Sequence, residues 1–231
     1  MILRSDRAVT LVGGGSLHHS HLPDALAIAP CLVAADGGAD AAMLAGLRPE
    51  AVIGDFDSIS PAAQEAFADV LHHVTEQEST DFDKCLRLVE APFYLALGFL
   101  GERLDHTLAA FTSLVTYRDR RCILVGERDI CFLAPERLNL SLPEGTRLSL
   151  YPMGAVRGEG SGLRWPIAGL DFAPDGRIGT SNMVTGPVAL RFDAPRMLVI
   201  LPRGCLRAAL RALTAGALTG DDAAEGSVPG E

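Results

Sequence analysis

Two aspartates separated by one residue, Asp55 and Asp57 in "VIGDFDS" (52–58), are the first residues whose types and spacing could do chemistry. In an extended segment, side chains two apart project to the same side. Carboxylates in an apolar neighbourhood lose hydration and repel each other, so an offsetting partner is expected. A hard cation is one candidate: Mg²⁺ takes oxygen ligands and is commonly shared between one or two carboxylates and substrate phosphates. A turn in which each aspartate caps local backbone amides is the other, and this stretch alone leaves both open.

Further polar residues sit at similar junctions. In "ESTDFDK" (78–84), Asp81 and Lys84 lie three apart, on one side of a helix that starts near Ser79 and buries Phe82, Cys85, Leu86 and Val89. Thr80 or Ser79 can cap that helix, and an acid suits its first turn. Lys84 is the only lysine among 20 basic residues, and an ammonium is not interchangeable with a guanidinium. "ADGGAD" puts Asp36 at a strand end, before Gly37 and Gly38, whose N–H groups can approach a phosphate; a plain turn explains it equally. "GERLDH" supplies Arg103 and Asp105, a phosphate clamp or a structural ion pair. The single tryptophan, Trp165, stands between Arg and Pro in "GSGLRWPI", a turn-like setting where the ring could stack on a cationic heterocycle, and "TSN" follows at 180–182. "GGGS" (13–16) fails the G-x-G-x-x-G pattern because His18 replaces the third glycine. His18, His19 and His21 lack metal-ligand spacing and read as a solvated loop.

These residues need a scaffold. Short apolar runs such as "AVTLVGG", "CLVAA", "AVIG", "VLHHV", "PFYLALG" and "RCILVGE" alternate with helical patterns, including one where Ser60 precedes Pro61. Strands alternating with helices predict a parallel sheet covered on both faces, with ligands beyond the carboxyl ends of its strands. From about residue 129 the texture changes to short strands with Gly and Pro turns, predicting a small β-sandwich. The expected organisation is therefore an α/β, Rossmann-like parallel-sheet domain over residues 1–128 and an all-β sandwich over 129–218. A flexible polar tail is expected at 219–231.

Composition narrows the function. The 231 residues are 48% hydrophobic, as a globular core requires, and carry a net charge of −9 with no basic block, which argues against a nucleic-acid partner. No apolar run reaches membrane-spanning length, and the N-terminus shows no signal-peptide pattern. Five scattered cysteines without a CxxC pair read as free thiols in a reducing cytoplasm.

Taken together, the motifs resemble those of the thiamine pyrophosphokinase (thiamine diphosphokinase) family, in the family's order over about residues 8–203. "DGGAD" looks like its DGGA turn, "GDFDS" matches its most telling motif, and "STDFDKCL" resembles its TD-x-x-K helix start. "GERLDH" is similar to its G-R-x-D turn, "SGLRWPI" to its SGLKW segment and "TSN" to its strand end. Glu76 and Glu78 stand where aspartates are common, Arg164 where lysine is common, and Pro166 where asparagine is usual.

The resemblance implies transfer of the pyrophosphoryl group of ATP to the hydroxyl of thiamine, releasing AMP, by a cytoplasmic homodimer with its sites between subunits. It implies Mg²⁺ at Asp55, Asp57 and Asp81, charge-handling by Lys84 and Arg103, and orientation of Arg103 or the metal shell by Asp105. ATP contacts are implied at Asp36, Gly37, Gly38, Ser58, Thr80, Lys84 and Arg103, and thiamine contacts at Trp165, Ser181 and Asn182. Two rival readings are a diphosphokinase for another alcohol, such as a pterin, and a non-enzymatic thiamine or nucleotide sensor. The "GLRW" and "TSN" segments argue against the first, and the full acidic set against the second.

Overall fold

The computed structural model describes residues 1–15, 17, 21–101 and 103–215. The expected tail at 219–231, together with His18, His19 and Ser16 of the glycine-rich loop, lies outside the described residues.

In chain order the first half contains β1 (Leu3–Arg4), β2 (Val9–Val12), α1 (His21–Leu26), β3 (Cys31–Ala35), α2 (Gly38–Leu44) and β4 (Ala51–Gly54). It continues with α3 (Pro61–Ala66), β5 (Leu71–His73), α4 (Asp81–Leu88), β6 (Val89–Glu90), β7 (Tyr94–Leu97), α5 (Leu104–Thr116) and β8 (Cys122–Val125). The second half is β9 (Asp129–Leu133), β10 (Arg137–Leu140), β11 (Arg147–Pro152), β12 (Val156–Leu163), β13 (Leu170–Phe172), β14 (Gly179–Phe192) and β15 (Met197–Pro202). A helix, α6 (Leu206–Ala215), closes the described chain, and the sequence reading had no helix there.

Strands β5, β4, β3, β2, β7 and β8 lie side by side in that order and run parallel. Every residue of β2, β3, β4, β7 and β8 is buried, which is why these strands read as continuous apolar runs. Their side chains alternate between two cores. Cys31, Val33 and Ala35 pack with Phe82, Cys85 and Leu86 of α4, while Leu32 and Ala34 pack with Ala39, Ala42 and Ala63 of α2 and α3.

Beyond β8 the sheet turns antiparallel, through β9, β15, β11 and β14. Residues 126–129, where the sequence texture changes, form the tight turn between β8 and β9, with the Gly126 N–H donating to the Asp129 carbonyl (2.8 Å). Among the described residues the ladder therefore runs unbroken from the parallel strands into the β-rich half, as one mixed sheet of 13 strands. The 14-residue β14 first pairs with β11 and then, past a break in register, with β12 and β10. Those outer strands alternate buried and exposed residues, in keeping with one solvated face.

Strand order reverses at β2, because the chain steps outward through β3, β4 and β5 and then returns to place β7 on the other flank of β2. Open α/β sheets bind ligands in the crevice at such a point, beyond the carboxyl ends of the strands. The turns after β3, β4 and β7 carry Asp36, Asp55, Asp57 and Arg103 along this edge.

Candidate functional site

The acidic loop is built by three neighbouring elements. β4 ends at Gly54, where an added Cβ would lie 2.8 Å from the Cβ of Asp36, so glycine lets the turn after β3 press against the turn after β4. The Ser58 N–H donates to Asp36 Oδ2 (3.1 Å), and the Ser60 N–H donates to Asp40 Oδ2 (2.9 Å), tying the loop to the turn after β3 and to α2. Ser60 also caps α3, its hydroxyl oxygen accepting from the Ala63 N–H (3.2 Å) with Pro61 at the first helical position. The loop is not extended between the two aspartates. Phe56 has φ 64°, so the carboxylates converge through a left-handed turn rather than through strand periodicity.

The outcome is that Asp36, Asp55 and Asp57 each bring a carboxylate oxygen to within 4.8 Å of the others. Asp36 is buried, and its Oδ1 has no hydrogen-bond partner. Burial first, and then the charge of Asp81, pushes the Asp36 carboxyl up to about 6 against the pull of the Ser58 N–H. Asp55 goes the other way. Burial pushes it up, but the Gln77 amide, donating to its Oδ2 at 2.6 Å, and the charge of Lys84 outweigh that and hold it below the usual carboxylate range.

α4 supplies the counter-charge. Its N-terminus is fixed by a reciprocal cap in which the Thr80 hydroxyl oxygen accepts from the Asp83 N–H (3.2 Å) while Asp83 accepts from the Thr80 N–H (3.1 Å). Upstream, the Glu76 carboxylate accepts from the N–H groups of Glu78 (3.0 Å) and Ser79 (3.1 Å), the Ser79 hydroxyl and Arg87 (2.7 Å). The approach to the helix is thus locked by Glu76. Lys84, 1% exposed, donates to Asp81 Oδ1 (3.0 Å) and lies 3.6 Å from Asp55 Oδ2. Burial would lower its ammonium, but Asp81 and Asp55 more than compensate and hold it above the usual lysine value. Asp81 is itself raised, by burial first, with Lys84 opposing. The ammonium of Lys84 thus meets two of the four carboxylates, Asp55 and Asp81, which leaves the site short of positive charge.

A second constellation lies in the β-rich half. Trp165 is 52% exposed, with the Arg164 guanidinium 5.1 Å from its ring centroid. Its backbone is clamped by buried Asn182, whose Oδ1 accepts from the Trp165 N–H (3.1 Å) and whose Nδ2 donates to the Trp165 carbonyl (2.8 Å). The same Oδ1 also accepts from the Met183 N–H (2.8 Å). Ser181 sits in a β-bulge opposite Ser149, at φ 58°, its N–H donating to Ser149 Oγ (2.9 Å) and its side chain exposed.

Residues 22–125 match the family model described as thiamin pyrophosphokinase, catalytic domain. A thiamine pyrophosphokinase from Oryza sativa subsp. japonica is 29% identical over 157 residues, 59% of this chain and 60% of that protein. One from Caenorhabditis elegans is 30% identical over 156 residues, 59% of this chain and 63% of that protein. Over these residues the chain is similar to thiamine pyrophosphokinases. The match spans about three fifths of the length of these curated relatives. In fold, the chain is similar to the thiamin pyrophosphokinase from Candida albicans (TM-score 0.72, 16% identity, 85% of this chain and 88% of that one). It is also similar to that from Geobacillus thermodenitrificans (TM-score 0.69, 22% identity, 84% of this chain and 96% of that one).

Against that family pattern, the structure brings Asp36, Asp55 and Asp57 together and sets Asp81 beside them across Lys84. The Ser58 hydroxyl is turned onto Asp57 (2.7 Å), and the Thr80 hydroxyl is taken up by the helix cap. Gly37 caps α2, and a Cβ on Gly38 would lie 2.0 Å from the Val12 carbonyl oxygen, so this glycine is required by the packing of α2 on β2. Arg103 and Asp105 form an exposed two-pronged pair (2.5 and 3.2 Å) at the start of α5, which holds Asp105 at about 2. The family resemblance implies that the Asn182 amide meets a ligand, whereas here both its ends are engaged by backbone. The sequence reading missed Gln77, Asp40 and the staple role of Glu76. Only Glu76 left a signal, an acid three residues ahead of a serine at a helix entry; the partners of Gln77 and Asp40 are 22 and 20 residues away.

Proposed function

We propose that the protein transfers the pyrophosphoryl group of ATP to the hydroxyl of thiamine, giving thiamine diphosphate and AMP. The observation that carries this reading is the convergence of Asp36, Asp55 and Asp57, with a buried and unpartnered oxygen on Asp36, at the ligand-binding edge of a parallel sheet. An all-carboxylate set with an orphaned buried oxygen fits a hard divalent cation, and Asp55, Asp57 and Asp36 would hold Mg²⁺, with Asp81 beside them. Bound there with ATP, the ion would supply neutralisation of phosphate charge and polarisation of the phosphorus.

The chain's own groups have separable parts in this reading. Lys84 offsets part of the acidic charge and favours the ionised forms of Asp81 and Asp55. Arg103, aimed by Asp105, steadies phosphate charge. The glycine turn at Gly37 and Gly38 and the Ser58 and Thr80 region border the nucleotide. Trp165 stacks on the cationic ring of thiamine, Ser181 offers its hydroxyl, and Asn182 keeps Trp165 in place. Residues 1–128 would form the Rossmann-like ATP and metal unit and residues 129–218 the sandwich-like thiamine unit, in a homodimer with its sites between subunits. Unpaired thiols at Cys31, Cys85, Cys122, Cys131 and Cys205 support a cytoplasmic setting.

The test is AMP release from Mg·ATP in the presence and absence of thiamine. Thiamine-dependent AMP is expected. Folded protein that releases none removes the enzyme reading and leaves the sensor. Release with a pterin alcohol in place of thiamine moves the acceptor. Asp57→Asn should abolish turnover while thiamine still quenches Trp165 fluorescence; equal loss of both would make the aspartates structural.

A further inference from the structure

Among the described non-glycine residues, three have left-handed backbone: Asp36 (φ 42°), Phe56 (φ 64°) and Ser181 (φ 58°). All three lie in the two constellations described above. Aspartate tolerates this region well, but for a bulky aromatic residue it is an outlier that surrounding structure must hold in place. Phe56 is the residue between Asp55 and Asp57, so its backbone angle sets the relative aim of the two carboxylates. Part of its ring packs on the core formed with α2 and α3. The ring also stacks on the imidazole of His73, with centroids 5.2 Å apart and planes 18° from parallel.

His73 is delivered to that position by the sheet. It is the last residue of β5, in register with Gly54 of β4, and the following Val74 N–H donates to the Gly54 carbonyl (2.8 Å). The ladder that ends at the acidic loop thus sets the imidazole against Phe56, the residue between the two aspartates.

We propose that His73 is a positioning residue for the acidic site. By stacking on Phe56 it holds the left-handed turn and keeps Asp55 and Asp57 converged with Asp36. The role rests on the metal and ATP reading above, but it concerns a side chain outside the cluster and acts through ring packing.

The experiment compares wild type, His73→Ala and His73→Phe by Mn²⁺ titration followed by electron paramagnetic resonance, without and with a non-hydrolysable ATP analogue. Steady-state KM values for Mg·ATP and thiamine are measured in parallel. His73→Ala is expected to weaken Mn²⁺ binding by about threefold to tenfold, the worth of one aromatic pair. The KM for Mg·ATP should rise by a similar factor while the KM for thiamine stays near wild type. His73→Phe, which keeps a stacking ring, is expected to restore both. Unchanged Mn²⁺ binding in His73→Ala, or His73→Phe as weak as His73→Ala, overturns the positioning role and leaves the metal reading standing. Equal loss of Mn²⁺ and thiamine binding also overturns it, as general loosening. If wild type binds no Mn²⁺ with or without nucleotide, the metal reading falls and the role of His73 falls with it.

Discussion

At the residue scale, the acidic cluster is held by imbalance. Asp36 and Asp81 are raised by burial, Asp55 is lowered by Gln77 and Lys84, and one buried ammonium serves several carboxylates. For Asp36 the sign is definite. Its folded-state value of about 6 lies above the unfolded value of 3.8, so the native state holds an extra proton between those limits. Stability from this group is therefore present at low pH and lost as pH rises through about 6. A cation must displace that proton, so Mg²⁺ should raise the melting temperature more at pH 7.5 than at pH 5. Asp36→Asn should flatten both trends: the metal-free variant is expected to melt above wild type at pH 7.5, with little response to Mg²⁺. A Mg²⁺ shift in the variant as large as in wild type, by differential scanning fluorimetry, would place the ion elsewhere.

At the scale of elements, the site depends on how closely helices and strands approach at the carboxyl edge. α2 begins against β2 because Gly38 has no side chain, and Gly54 lets the turns after β3 and β4 touch. Gly38→Ala puts a methyl group against the rigid Val12 carbonyl, and overpacking of this kind costs about 1 to 3 kcal/mol. Urea unfolding should show that loss, together with weaker nucleotide binding as the turn carrying Asp36 shifts. The helix start at Thr80 offers a milder change. Thr80→Ala removes one half of the reciprocal cap and should cost about 1 kcal/mol. Its effect on turnover separates capping from a nucleotide contact: a stability loss with unchanged KM for Mg·ATP would assign Thr80 to the helix alone.

On the scale of the whole molecule, the two constellations sit in different halves of one continuous mixed sheet. Leu104 and Leu108, four apart on one face of α5, are 70% and 56% exposed, an unusual display of large apolar side chains on a helix whose buried residues are Ala110, Ser113 and Leu114. The proposed homodimer would cover them. Light scattering should give twice the chain mass, and Leu104→Glu with Leu108→Glu should give a monomer with reduced turnover. A wild-type monomer with full activity would confine the site to one chain.

By itself the sequence determined the local features: the buried parallel strands, the helix starts at Ser60 and near Ser79 or Thr80, the Asp81–Lys84 pairing and the list of residues able to meet phosphate, metal or a cationic ring. Each rests on short-range periodicity or capping, which a few neighbouring residues set. Tertiary structure decided what those residues face. Asp36 joins Asp55 and Asp57 because β3 and β4 are sheet neighbours and Gly54 lets their turns meet. His73 joins the loop from the end of β5 and Gln77 from beyond it, and Asn182 reaches Trp165 across 17 residues. The left-handed turn at Phe56 could not be read from a phenylalanine, because that residue type disfavours it; only packing from outside the loop can hold it there.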